Sequence, residues 1–235
     1  MGWEPDLILL DLDGTLVDSF PAITLALNEA LASRGFDTVS LDWVRRHVGR
    51  GARALVADAL PGVKDGAGVE DLLGRFRERY GRLFLDATPP LPGVPETLRM
   101  LADRSPLAVV TNKPDDWAKA LLDHYGWTGL FSTIQGPEAA GARKPSPEMV
   151  LRALNFAQAR ADDALLVGDM EVDIATARNA GVAMVAVASG ARSAAELIAE
   201  GAPVVLGGLN ELPAWLARQD DARGASSHGR NVRVE

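Results

Sequence analysis

The chain has 235 residues, no cysteine, 47% hydrophobic residues and a formal charge of −8. That much apolar content at this length fills a substantial core without staples, and the missing thiols exclude disulfides, thiolate metal sites and a cysteine nucleophile. Net acidity excludes a nucleic-acid surface, which needs clustered Lys and Arg, and no apolar run approaches the ~18 residues of a membrane span. The first apolar run is too short for a signal-peptide core, so a soluble cytoplasmic protein is expected.

The chain opens with the stretch LILLDLDGTLVDS, residues 7–19, in which four aliphatic residues run into Asp11 and Asp13. A continuous apolar run of this length suits a parallel strand covered on both faces. From Asp18 to about Pro90 no such run occurs. Amphipathic helical patterns occur instead: one has Pro21 in its first turn, Ile23, Leu27 and Leu31 on one stripe, and Gly35 as its stop; another covers residues 69–84. The exit, DATPPLPGVP (86–95), is a stiff, proline-rich connection.

Beyond it the strand pattern returns in LAVVTN (107–112), ALLVGD (164–169) and AMVAVA (183–188). Helices are predicted after the first two. One places Trp117, Leu121 and Tyr125 on one face and stops at Gly126; the other opens at Asp173 and stops at Gly181. After Trp215 the apolar content is lost, which predicts a disordered tail. The expected architecture is α/β: a Rossmann-like parallel sheet core flanked by helices (1–17 and 91–216), an inserted all-helical domain (18–90) and the tail (217–235).

In open α/β sheets ligands bind at the carboxyl ends of the strands. Those ends carry Asp11 and Asp13, Thr111 and Asn112, and Asp169 with Asp173 one turn on, while Lys144 lies in a loop between. Asp11 and Asp13 share a face as long as the chain stays extended. Two such carboxylates repel, and burying them unpaired costs several kcal/mol or keeps one protonated. A hard divalent cation offsets the charge most directly, with Asp169 as a third oxygen donor, and a sparse acidic set suits Mg2+ completed by waters and a substrate phosphate.

Four segments in order, DLDGTLVDS (11–19), VVTNKP (109–114), RKPSPE (143–148) and VGDMEVDIATARNAG (167–181), resemble the motifs of the haloacid dehalogenase superfamily of aspartate-nucleophile phosphohydrolases, over about residues 6–212. The resemblance implies Asp11 as nucleophile, Asp13 as acid and then base, and Mg2+ held by Asp11, the Asp13 carbonyl and Asp169. It further implies Thr111 and the Asn112 backbone as donors to the phosphoryl oxygens, Lys144 as their counter-charge, Gly14 as a supporting position, and Asp173 orienting a metal-bound water or Lys144. The fourth motif departs from the family at Met170, where Ser or Thr is usual.

The insertion then resembles a cap that closes over the site, so the substrate is expected to be small. VGRG (48–51), PGVPETL (92–98) and VVTNKP are similar to segments of phosphoglycolate phosphatases. Arg50 is expected to pair with a substrate carboxylate, with Arg45, Arg46 and Arg53 as rivals. The implied activity is Mg2+-dependent hydrolysis of a small phosphomonoester, by a monomer or homodimer with no nucleic-acid or membrane partner. A sugar-phosphate mutase and a non-catalytic phospho-ligand binder are the alternatives. Asp18 also fits a plain helix cap, as does Asp173, and His47, His124 and His228 lack ligand spacing and are expected at the surface.

Overall fold

A computed structural model describes residues 3–60 and 66–219. At its centre lies a parallel sheet of β1 (Leu7–Leu10), β2 (Leu107–Val110), β3 (Phe131–Gln135), β4 (Ala164–Gly168), β5 (Ala183–Val187) and β6 (Val205–Leu206), in the spatial order β3-β2-β1-β4-β5-β6. Between β1 and β2 the chain makes α1 (Phe20–Ala32), α2 (Leu41–His47), α3 (Ala52–Asp58), α4 (Gly66–Leu83) and α5 (Val94–Ala102). The remaining helices are α6 (Asp115–His124), α7 (Pro137–Ala140), α8 (Glu148–Ala157), α9 (Glu171–Ala180), α10 (Ala194–Ala199) and α11 (Leu212–Arg218).

The apolar runs are uninterrupted because each face of the sheet has its own cover. Ile8, Leu10, Val109, Val167 and Val187 pack with Leu98, Leu121 and Leu212 of α5, α6 and α11. Their alternates Leu7, Leu9, Val110 and Leu166 pack with Val150 of α8 and Ile174 of α9. All four side chains of β1 are fully buried, a contribution of about 1.5–3 kcal/mol each. The sequence pattern passes over β3 and β6 for a physical reason. Both are edge strands, where one side of the ladder is open. β3 reads FSTIQ with mostly half-exposed positions, and β6 is only two residues long.

Helices α1–α4 pack chiefly on one another, α1 against α4 most extensively. They leave and rejoin the sheet through two adjacent antiparallel connectors. The Asp18 N–H donates to Pro89 O (2.9 Å), the Leu91 N–H to Leu16 O (2.9 Å), and Val17 bridges Pro90. Several element ends differ from the sequence pattern. Helix α6 starts at Asp115, and α11 runs through Arg218 into the segment expected to be disordered; residues 220–235 lie outside the described residues. Asp18 caps locally, its Oδ1 accepting from the Phe20 N–H (3.3 Å). His47 lies half-buried, its Nδ1 2.7 Å from Trp43 O, His124 is exposed, and His228 falls outside the described residues.

Candidate active site

Two strand ends, one helix start and one loop bring their charges to one point. Asp11 follows β1 and continues its ladder, with its N–H donating to Val167 O (2.9 Å); Asp169 follows β4; Asp173 sits in the first turn of α9; Lys144 comes from the loop before α8. One oxygen from each of Asp11, Asp169 and Asp173 lies within 4.8 Å of the others. Lys144 Nζ stands 2.9 Å from Asp11 Oδ1 and donates to Asp173 Oδ1 at 2.6 Å. All four side chains are buried. Asp173 does not open its helix, as the pattern suggested. Met170 is the N-cap, and Asp173 Oδ2 reaches back to the Met170 N–H (3.1 Å), so one carboxylate ends the helix and holds the lysine.

The electrostatics follow from burial. Burial pushes the Asp11 carboxyl up, Lys144 pulls it back and the charge of Asp173 pushes it up again, giving about 7. Asp169 is also raised well above the carboxylate range, by burial and then by Asp11 and Asp173. Burial pulls Lys144 down, but Asp11 and Asp173 more than offset this, and it stays charged.

Three carboxylates against one ammonium leave two negative charges uncompensated. Asp11 Oδ1 is buried and has no donor in hydrogen-bond geometry, although Lys144 lies close to it. The Asp169 oxygens are oriented by Thr15 Oγ1 (3.2 Å) and the Ala191 N–H (2.6 Å). Gly14 has φ +87, and a Cβ there would stand 2.7 Å from Asp169 Cγ, so only glycine lets the carboxylate sit against this turn. An all-oxygen donor set with excess negative charge and an orphaned buried oxygen fits a hard divalent cation.

Beside this cluster, Thr111 Oγ1 accepts from the Lys113 N–H (3.1 Å), which orients the hydroxyl toward the strand end. The Asn112 side chain is fully engaged as a buckle. Its Nδ2 donates to Gly49 O (2.7 Å) and Lys144 O (3.1 Å), and its Oδ1 accepts from the Lys144 N–H (2.8 Å). What Asn112 retains for a ligand is its backbone.

The Asp13 carboxylate is not part of the three-acid cluster. It accepts from Lys113 Nζ at 2.9 and 3.3 Å, and the same ammonium donates to Tyr80 Oη of α4 at 2.7 Å. Lys113 was not singled out from the sequence. It stands in VVTNKP beside Thr111 and Asn112, but nothing in that stretch separates a solvated strand-end lysine from a buried one. The usable signal lies elsewhere, in the aromatic stripe Phe76, Tyr80, Phe84 at four-residue spacing along α4 and just past its end, of which only Tyr80 carries a hydroxyl.

A cavity joins the two halves. It is lined below by Asp11, Asp13, Thr111, Lys113 and Lys144, and above by apolar groups of α1, α3 and α4, including Ile23, Leu55 and Phe76. Arg50, the expected carboxylate partner, does not line it. Its side chain is 63% exposed and paired with Asp58, because Gly49 and Gly51, with φ +112 and +89, turn the backbone of this segment inward and the side chain out. Met170 is buried and packs its thioether on Gly49, so the position where the motif resemblance implies Ser or Thr makes an apolar contact with the helical layer here.

The sequence profile described as "Haloacid dehalogenase-like hydrolase" matches residues 8–187. A phosphoglycolate phosphatase of Pseudomonas syringae pv. syringae is 36% identical over 217 residues, spanning 90% of this chain and 79% of that protein. One from Aquifex aeolicus is 38% identical over 183 residues, spanning 74% and 80%. Among solved structures, a predicted phosphoglycolate phosphatase from Haemophilus somnus superposes with a TM-score of 0.84 at 28% identity, covering 90% of this chain and 98% of that one. The chain therefore belongs to the haloacid dehalogenase-like hydrolase family, among its phosphatases.

Proposed function

We propose that the protein hydrolyses a small phosphomonoester through a phosphoaspartate on Asp11, with Mg2+ as cofactor and 2-phosphoglycolate as the leading substrate. The observation that carries this reading is the meeting of Asp11, Asp169, Asp173 and Lys144 in one buried cluster that opens into the cavity lined by Thr111 and Asp13. The choice of phosphoglycolate rests on the relatives' names and on the small apolar roof.

In this scheme an Asp11 oxygen forms a bond to phosphorus as the ester P–O bond breaks, and Asp13 gives its proton to the departing oxygen. Asp13, now a carboxylate, takes a proton from water as the water oxygen attacks phosphorus and frees Asp11. Thr111, the Asn112 backbone and Lys144 hold the phosphoryl oxygens, and Asp173 keeps Lys144 in place. Asp11, Asp169 and the Asp13 carbonyl would hold the cation, whose charge would let an anionic ester approach an anionic nucleophile. Helices α1–α4 act as the cap that excludes bulk water.

The test is phosphate release with Mg2+ across phosphoglycolate, sugar phosphates, nucleotides and pyrophosphate. Highest kcat/KM on phosphoglycolate is expected. Release from none of them overturns the reading, and a preference for another ester overturns the substrate assignment.

A further inference from the structure

We propose that Lys113 is the positioning residue for Asp13, and that Tyr80 makes this positioning conditional on closure of the helical layer over the site. The inference rests on the phosphatase reading above and adds a residue pair to it. A lysine ammonium has three donors, and here three contacts use them: two to the Asp13 carboxylate and one to Tyr80 Oη. The Lys113 side chain is 3% exposed and that of Asp13 19%, so the lysine is a built-in part of the floor while the carboxylate meets the cavity.

Tyr80 is held just as firmly. It is 1% exposed, its ring packs between Phe76 of its own helix and Phe84 just past the helix end and against Trp117 of α6, and its hydroxyl reaches across to the floor. Lys113 also lies over the Tyr80 ring, 4.9 Å from its centre. If α4 moved away, Lys113 would lose its third acceptor and its aromatic neighbour, and the carboxylate it grips would lose its fixed orientation. The acid and base of the reaction is thus placed by a chain that runs from α4 through a hydroxyl and an ammonium to Asp13.

A positioning role for Asp13 predicts a dependence on the leaving group. An alkyl phosphate needs a proton on its departing oxygen as the P–O bond breaks, whereas 2,4-dinitrophenolate leaves without one. The experiment compares kcat/KM for phosphoglycolate and for 2,4-dinitrophenyl phosphate in wild type, Lys113→Met and Tyr80→Phe. For Lys113→Met the expected fall is roughly 100-fold or more on phosphoglycolate and under about 10-fold on the aryl ester, within the range of a general acid's contribution. Tyr80→Phe keeps the ring packing and should show the same asymmetry at a smaller size, roughly 10-fold on the alkyl ester, the low end for loss of one hydrogen bond to a charged group.

Equal losses on both esters in the two variants, or no loss in either, overturn the proposal. A wild-type protein inactive on both esters instead overturns the phosphatase reading, so the two failures are distinct.

Discussion

Replacing Lys144 by Met removes the ammonium that pairs with both Asp11 and Asp173 while keeping most of the side-chain volume. The lysine is 2% exposed and lies 2.9 and 2.6 Å from the two carboxylates, so the variant leaves three buried acids within 4.8 Å of one another without a counter-charge. Removing one partner of a buried pair costs about 3–5 kcal/mol, and a chain of this size loses about 2–4 °C in Tm per kcal/mol. Without divalent cations, the drop expected at about pH 8 is therefore roughly 6–20 °C. The sign of its pH dependence is fixed by Asp11. Its folded pKa of about 7 lies above the 3.8 of a solvated aspartate, so the native state binds more protons than the unfolded one between these limits, and stability falls as pH rises through that window. Loss of Lys144 extends the window upward, so acidification to about pH 5 should recover part of the lost Tm. Millimolar Mg2+ should stabilise the variant more than the wild type, because it supplies the missing charge. Thermal melts with EDTA and with Mg2+ across this pH range provide the assay. A variant that melts with the wild type at high pH in EDTA, with no pH-dependent recovery, would refute the coupled charge cluster.

Three further outcomes follow from the same geometry. Asp11→Asn should abolish turnover yet raise metal-free stability at neutral pH by up to about 4 kcal/mol, because it removes a carboxyl that burial and Asp173 disfavour; chemical denaturation checks this. Gly14→Ala should cost about 1–2 kcal/mol for its φ of +87 and also displace Asp169, so a weaker Mg2+-induced rise in Tm than in wild type is expected. Arg192 Nη1 donates to Arg45 O (2.6 Å) and its Nη2 to Arg46 O (3.3 Å) and Glu171 Oε1 (2.8 Å), tying the end of α2 to the start of α9. Arg192→Ala should therefore speed hydrogen exchange in residues 41–47 by roughly tenfold, with exchange in β1 unchanged.

The sheet was legible wherever both of its faces are covered, because double burial leaves an unbroken aliphatic run such as LILL or LAVV. Edge strands carry no such imprint: β3 mixes polar and apolar residues without a period under partial cover, and β6 is too short to show one. The acidic cluster was legible for a related reason. Asp11 and Asp169 end fully buried runs where no stability argument places a charge, so their position alone signals chemistry. Lys113 gave no such warning. Its third donor is taken by Tyr80, thirty-three residues upstream in sequence, and a contact between residues so far apart in the chain leaves no local pattern. Arg50 failed for the converse reason: its residue type suits an anion, but the two positive-φ glycines beside it decide which way it faces.

The central claim is that an Asp11 oxygen becomes bonded to phosphorus. The most direct measurement is acid quench of the Asp13→Asn variant after mixing with Mg2+ and 2,4-dinitrophenyl phosphate, whose leaving group needs no proton from Asp13, followed by mass mapping of the phosphorylated peptide. With the base for the second step removed, a phosphoryl group on Asp11 is the predicted result; label on any other residue, or undiminished turnover with no label, would contradict the account.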